Sequence, residues 1–217
     1  MAVAEPWLIA LVAAVCGLAA WALTGWMRRI AETDSRLYRG PLHVILAALF
    51  GAGVPLLALN WAEVLTFGLL ALGASLMVTI DLAEERLPNA ITYPLYPVLF
   101  GGLAVTAGVT GDWGRFARAA LAGVVVFALF FVLALVGPLY FGDVMLSGLI
   151  GGFLGWLGWA HVMLGVFAGF LLHALIGIVL IALKRANRKT EFAFGPWMIL
   201  GAVIGAAFGP AVFPAFA

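Results

Sequence analysis

The chain has 217 residues, of which 65% are hydrophobic and 10% charged, with a net charge of +1. A soluble domain carries roughly a quarter charged residues, so water is not the main solvent of this chain; the lack of a long basic tract also excludes a phosphate-contacting nucleic-acid surface. The single cysteine, Cys16, leaves no intrachain disulfide or paired-cysteine zinc site and reads as a small buried hydrophobe.

A hydrocarbon core takes about 20 apolar residues of helix to cross. Eight apolar blocks follow one another, at approximately 7–27, 41–60, 62–80, 92–110, 119–139, 145–159, 161–183 and 196–216. The first lacks the positively charged start of a secretory signal and is expected to be a retained membrane helix running up to Arg28 and Arg29. Charge collects in MRRIAETDSRLYRG, DLAEERLPN, GDWGRFAR, the YFGD stretch and KRANRKTEF, and tight turns are expected near Asn60 and His161. These polar segments are too short to hold a soluble domain, so residues 1–217 read as one membrane domain: an all-α polytopic bundle of about eight helices.

Lysine and arginine set the orientation, because cytoplasmic loops carry their excess. With the N-terminus outside, nine basic residues face the cytoplasm: Arg28, Arg29, Arg36, Arg39, Arg86, Lys184, Arg185, Arg188 and Lys189. Two, Arg115 and Arg118, face out. That assignment puts DLAEERLPN and the YFGD stretch on the cytoplasmic face. Glycines four apart, Gly151 with Gly155, Gly165 with Gly169, and Gly201, Gly205 and Gly209, predict close helix packing. Trp156 with Trp159, and Trp7 with Trp26, predict interfacial aromatic belts, and Arg185, Arg188 and Lys189 predict contact with anionic membrane lipid.

Two carboxylates stand out, since an ionisable residue at the edge of an apolar helix is costly and points to function. Asp81 ends the run LALGASLMVTI, and Asp143 lies in LVGPLYFGDVMLSGLIGG with no basic residue near it in sequence. For Asp81 the competing expectation is a solvated helix end, because Glu84, Glu85 and Arg86 follow. His43, His161 and His173 lack metal-ligand spacing and predict interhelical hydrogen bonds or interface positions; no metal site is expected. Ser147 has no His or Lys partner at fixed spacing, which argues against a serine peptidase.

Asp81 followed by Leu87, Pro88 and Asn89, with Thr92 and Pro94 beyond, resembles the first aspartate motif of type IV prepilin peptidases. Gly142, Asp143 and Val144, then Leu146, Gly151, Leu154, Gly155 and Trp156, resemble the GxGD motif of that family. Glu191 with Phe194, Gly195 and Pro196, and Gly201, is similar to its late Pro-Phe-Gly-Pro segment. The resemblance covers about 71–217, leaving 1–70 as N-terminal helices with a short basic loop. It implies a membrane aspartic endopeptidase of the bacterial cytoplasmic membrane, with Asp81 and Asp143 catalytic and no cofactor. The partner would be a type IV prepilin or pseudopilin precursor cut at the cytoplasmic face.

The family usually has glycine where this chain has Tyr140, lysine where it has Met145 and proline where it has Ala193. The loop after the first block has no cysteine tetrad, so a short form is expected, and S-adenosylmethionine would be needed only by a bifunctional member. Pro88 is expected to stop the helix after Asp81, and Gly142 to allow close backbone approach beside Asp143. Two other readings remain: a catalytically impaired relative that binds precursors uncut, and a small proton- or cation-coupled transporter. The composition sets no oligomeric state.

Overall fold

The computed structural model describes residues 5–137, 139–184 and 192–216. Among them nine α-helices follow in order: α1 Pro6–Ala22, α2 Thr24–Ile30, α3 Leu42–Leu57, α4 Trp61–Glu84, α5 Asn89–Thr110, α6 Trp113–Val136, α7 Phe141–Leu157, α8 Trp159–Ala182 and α9 Gly195–Val212. No strand occurs among the described residues, and the protein is an all-helical multi-pass membrane protein.

Five helices, α4, α5, α6, α8 and α9, are each long and apolar enough to cross a membrane. The pair α1 and α2, bent by 50°, makes a sixth if counted as one span, and α3 and α7 are shorter apolar helices of 16 and 17 residues. All eight apolar blocks are therefore helical, but the first is broken at Leu23 and two of the others are short. Arg185, Arg188, Lys189 and Glu191 lie outside the described residues.

Three boundaries differ from the pattern of apolar residues, each for a local reason. Helix α4 runs through Asp81 and stops at Glu84, where Glu85 takes a left-handed conformation (φ 53°) and donates its N–H to the Asp81 carbonyl at 2.8 Å. Pro88 comes too late to end that helix and instead precedes the first turn of α5. The turn expected at His161 sits at Gly158, whose φ of 151° suits a residue without a side chain, and His161 lies in the first turn of α8.

The chain divides into two compact units, 1–117 and 118–217. In the first, α3 packs on α1 and α4, and α5 packs on α4. Small residues bring the backbones together: a Cβ on Gly51 would lie 2.9 Å from that of Cys16, and Leu95 and Thr66 fill the spaces over Gly73 and Gly102. Cys16 is buried beside Ala20 and Ala47, as a small hydrophobe should be. The N-terminus of α4 is capped by Asn60, which accepts from the Glu63 N–H at 3.0 Å, while Glu63 accepts from Leu59 at 2.7 Å and pairs with Arg115 at 3.4 Å.

In the second unit α8 and α9 form the most extensive pairing, along the predicted glycine stripes. A Cβ on Gly205 would meet the Gly165 Cα and the His161 carbonyl at 2.6 Å, so the two backbones touch. Gly151 and Gly155 of α7 likewise face Ala122 and Ala119 of α6. Arg118 donates to the carbonyls of Gly155 and Trp156 at 2.8 and 3.2 Å, occupying acceptors that the end of α7 leaves open. Trp156 is fully buried and does not belong to an interfacial belt, whereas Trp7 and Trp26 are exposed.

Candidate active site

Asp81 belongs to the first unit and Asp143 to the second. Asp81 sits in the last turn of α4; earlier in the same helix Ser75 and Thr79 are both fully buried and satisfied by carbonyls of their own helix. Its residue is 3% exposed, so the expectation of a solvated helix end is overturned. The loop between α2 and α3 is bonded to this end of α4.

Glu84 holds that loop. One oxygen of its carboxylate accepts from the Glu32 N–H at 2.8 Å, the Thr33 N–H at 3.0 Å, the Thr33 hydroxyl at 3.1 Å and the Tyr38 hydroxyl at 2.7 Å. The other accepts from Arg86 at 3.0 Å, leaving the side chain 3% exposed. Arg86 also donates to the Ile30 carbonyl at 3.1 Å and pairs with Glu32 at 3.2 Å. Arg28 grips the loop from α2 with two bonds, 3.1 and 2.8 Å, to the Tyr38 carbonyl. Burial, and then the bond to Glu84, push the Tyr38 phenol well above its ordinary range, so it remains a donor at physiological pH.

The remaining residues of the first motif follow directly. Leu87 and Pro88 are buried, Asn89 is exposed as the first residue of α5, and the Pro88 carbonyl accepts from the Ile91 and Thr92 N–H groups at 3.0 and 3.1 Å. The Thr92 hydroxyl reaches that carbonyl at 3.2 Å and the Met77 sulfur on α4 at 3.6 Å, joining the two helices one turn before Asp81.

Asp143 lies in the first turn of α7, three residues after Tyr140, whose carbonyl accepts the Asp143 N–H at 3.0 Å. It is 5% exposed, and no ion pair engages it among the described residues. Gly142 is part of the same helical turn. Val144, Leu146 and Ser147 are buried around Asp143, and the Ser147 hydroxyl donates to the Val144 carbonyl at 2.7 Å. An N-terminal turn exposes N–H groups that lack helical partners, a setting that accommodates a carboxylate.

Phe194, Gly195 and Pro196 start α9 in this same unit, and all three are buried. Phe194 packs with Phe130 and Phe170 at centroid distances of 5.9 and 5.4 Å. His173 lies against Phe192 and Phe194 at 4.3 and 4.5 Å, an aromatic contact in place of the first of the two expected settings, an interhelical hydrogen bond. The other two histidines behave as expected: His43 bonds the Thr24 hydroxyl at 2.8 Å and His161 meets the Gly205 carbonyl at 2.9 Å, each between helices.

A family model described as the type IV leader peptidase family matches residues 67–182, which include both aspartates. A prepilin leader peptidase/N-methyltransferase of Aeromonas hydrophila is 30% identical over 184 residues, 80% of this chain and 60% of that protein. Proteins of the same name from Pseudomonas aeruginosa and Burkholderia pseudomallei are 30% and 29% identical, over 67% and 79% of this chain and 48% and 55% of their own lengths. The chain thus spans about half to three-fifths of the curated relatives it matches. No solved structure matches it.

Proposed function

Because the chain belongs to the type IV leader peptidase family, we propose that it is a membrane aspartic endopeptidase that removes the leader from type IV prepilin or pseudopilin precursors. The substrate is cut at the cytoplasmic face of a bacterial cytoplasmic membrane, and residues 1–217 act as one membrane domain with the N-terminus outside. Asp81 and Asp143 are the catalytic carboxylates. The observation that carries this reading is the burial of two aspartates, each in a terminal turn of an apolar helix and each inside the family-matched region. Buried carboxylates at such positions are costly to keep unless they work.

The chemistry requires no metal. Two carboxylates that reach one scissile bond share a proton, because both cannot ionise cheaply. The ionised one takes a proton from water as the water oxygen bonds to the carbonyl carbon; the protonated one gives its proton to the departing nitrogen as the C–N bond breaks. One water is consumed, and the pair titrates as a unit. The proposal is confined to peptide cleavage.

Incubation of a type IV prepilin with this protein in membranes, read as a mobility shift beside the Asp143→Ala variant, tests the reading. Loss of the leader with the wild type alone supports it. Intact precursor with both, where another family member cuts the same precursor, favours the impaired relative, whose support is the presence of Tyr140 and Met145 at family glycine and lysine positions.

A further inference from the structure

Asp81 occupies the turn of α4 that is least secure on its own. The last turn of a helix lacks partners for its carbonyls and frays, and the chain leaves α4 abruptly through the left-handed Glu85. A non-glycine residue in that conformation is disfavoured, so something outside the helix must hold the turn in place. Glu84, three residues after Asp81, supplies the attachment. Four of its polar contacts fasten the final turn to Glu32, Thr33 and Tyr38; the fifth is to Arg86, which repeats the attachment at Ile30 and Glu32.

We propose that Glu84 is a positioning residue for Asp81: its buried carboxylate, saturated by the loop between α2 and α3, fixes where α4 ends and therefore where the Asp81 side chain is presented. A catalytic group must be held within about 0.5 Å of its working geometry, and a displacement of about 1 Å can cost on the order of a hundredfold in rate. The inference rests on the proposed role of Asp81 and adds a residue that does not touch the substrate.

Glu63 provides the comparison that separates positioning from support. It is fully buried at the opposite end of α4 and makes the same kinds of contact, a backbone N–H and an arginine. Cleavage of a type IV prepilin by the full chain in lipid vesicles is measured as kcat and KM for the wild type, Asp81→Asn, Glu84→Ala, Glu84→Gln and Glu63→Ala, per folded molecule. Glu84→Ala is expected to lower kcat about 10- to 100-fold with KM changed no more than about twofold. Glu84→Gln keeps an oxygen for Tyr38 and Thr33 and is expected to fall between it and the wild type. Glu63→Ala is expected to lower the melting temperature but leave kcat unchanged.

A wild-type kcat in Glu84→Ala, or a loss confined to KM, or an equal kcat loss in Glu63→Ala, overturns the proposal. If Glu84→Ala fails to accumulate, Tyr38→Phe decides: it removes one bond and keeps the ring, and a lower kcat at constant KM supports the proposal while an unchanged kcat overturns it. Full activity of Asp81→Asn, or none in the wild type, refutes the aspartic-peptidase reading itself. An inactive Asp81→Asn beside an unaffected Glu84→Ala refutes only the positioning role.

Discussion

Asp81 and Asp143 are buried almost equally, at 3% and 5% exposure, yet the chain secures them by different means. Around Asp81 the fastening is polar: Glu84, Arg86, Tyr38 and Arg28 join the end of α4 to a loop more than 40 residues earlier. Around Asp143 it is steric: Val144 and Leu146 are buried, and the glycines further along α7 admit the backbone of α6. The difference lies in what each turn presents to its surroundings. The C-terminal turn of α4 ends at an abrupt left-handed residue and carries a carboxylate, Glu84, that collects donors from the loop. The N-terminal turn holding Asp143 is followed by an apolar helix whose small residues let it pack closely on α6, and close packing of that kind holds helices together in a bilayer.

The most severe break in either region is removal of its carboxylate. Asp81→Asn and Asp143→Asn each preserve shape and are expected to lower prepilin cleavage by about a thousandfold or more, with unchanged amounts in the membrane by immunoblot. Glu63→Ala strikes polar fastening away from Asp81 and removes the pairing of Glu63 with Arg115. It is expected to lower stability by about 3 kcal/mol, read as thermal melting in detergent. Gly205→Val strikes steric fastening in the second unit, where its side chain would meet backbone that cannot rotate away. A loss of about 2 kcal/mol is expected in the same melt, against no more than about 0.5 kcal/mol for Gly53→Ala, which has open space around it. Met145→Lys, two residues from Asp143, introduces charge into the sterically held region. It is expected to raise the cleavage rate a few-fold, about 1 kcal/mol, the scale of a partly solvated charge contact.

The apolar blocks made the helical fold legible, because eight runs of that length have no other stable arrangement in a bilayer. The glycine stripes foretold the α8–α9 contact for a similar reason: four-residue spacing puts the small residues on one face. What the pattern concealed was polar and long-range. Glu84 and Arg86 look like part of a solvated helix end in sequence, and only the return of Glu32, Thr33 and Tyr38 from a distant loop draws them into a hydrogen-bonded network. Trp156 was misread because a tryptophan near a block end signals an interface on average, whereas here the residue is fully buried in the protein. The two aspartates were visible because each follows or interrupts an apolar run; their helical turns were not, since Glu85 rather than Pro88 ends α4 and α7 begins ahead of Asp143.

The central claim is that Asp81 and Asp143 serve one reaction, and residues that act as a unit show effects that do not add. Single-turnover cleavage of a prepilin in vesicles by Asp81→Asn, Asp143→Asn and the double variant measures this directly. The account predicts that both single variants fall to the same floor and that the double variant lies on it. Substantial activity in either single variant, or losses that multiply in the double, would contradict it.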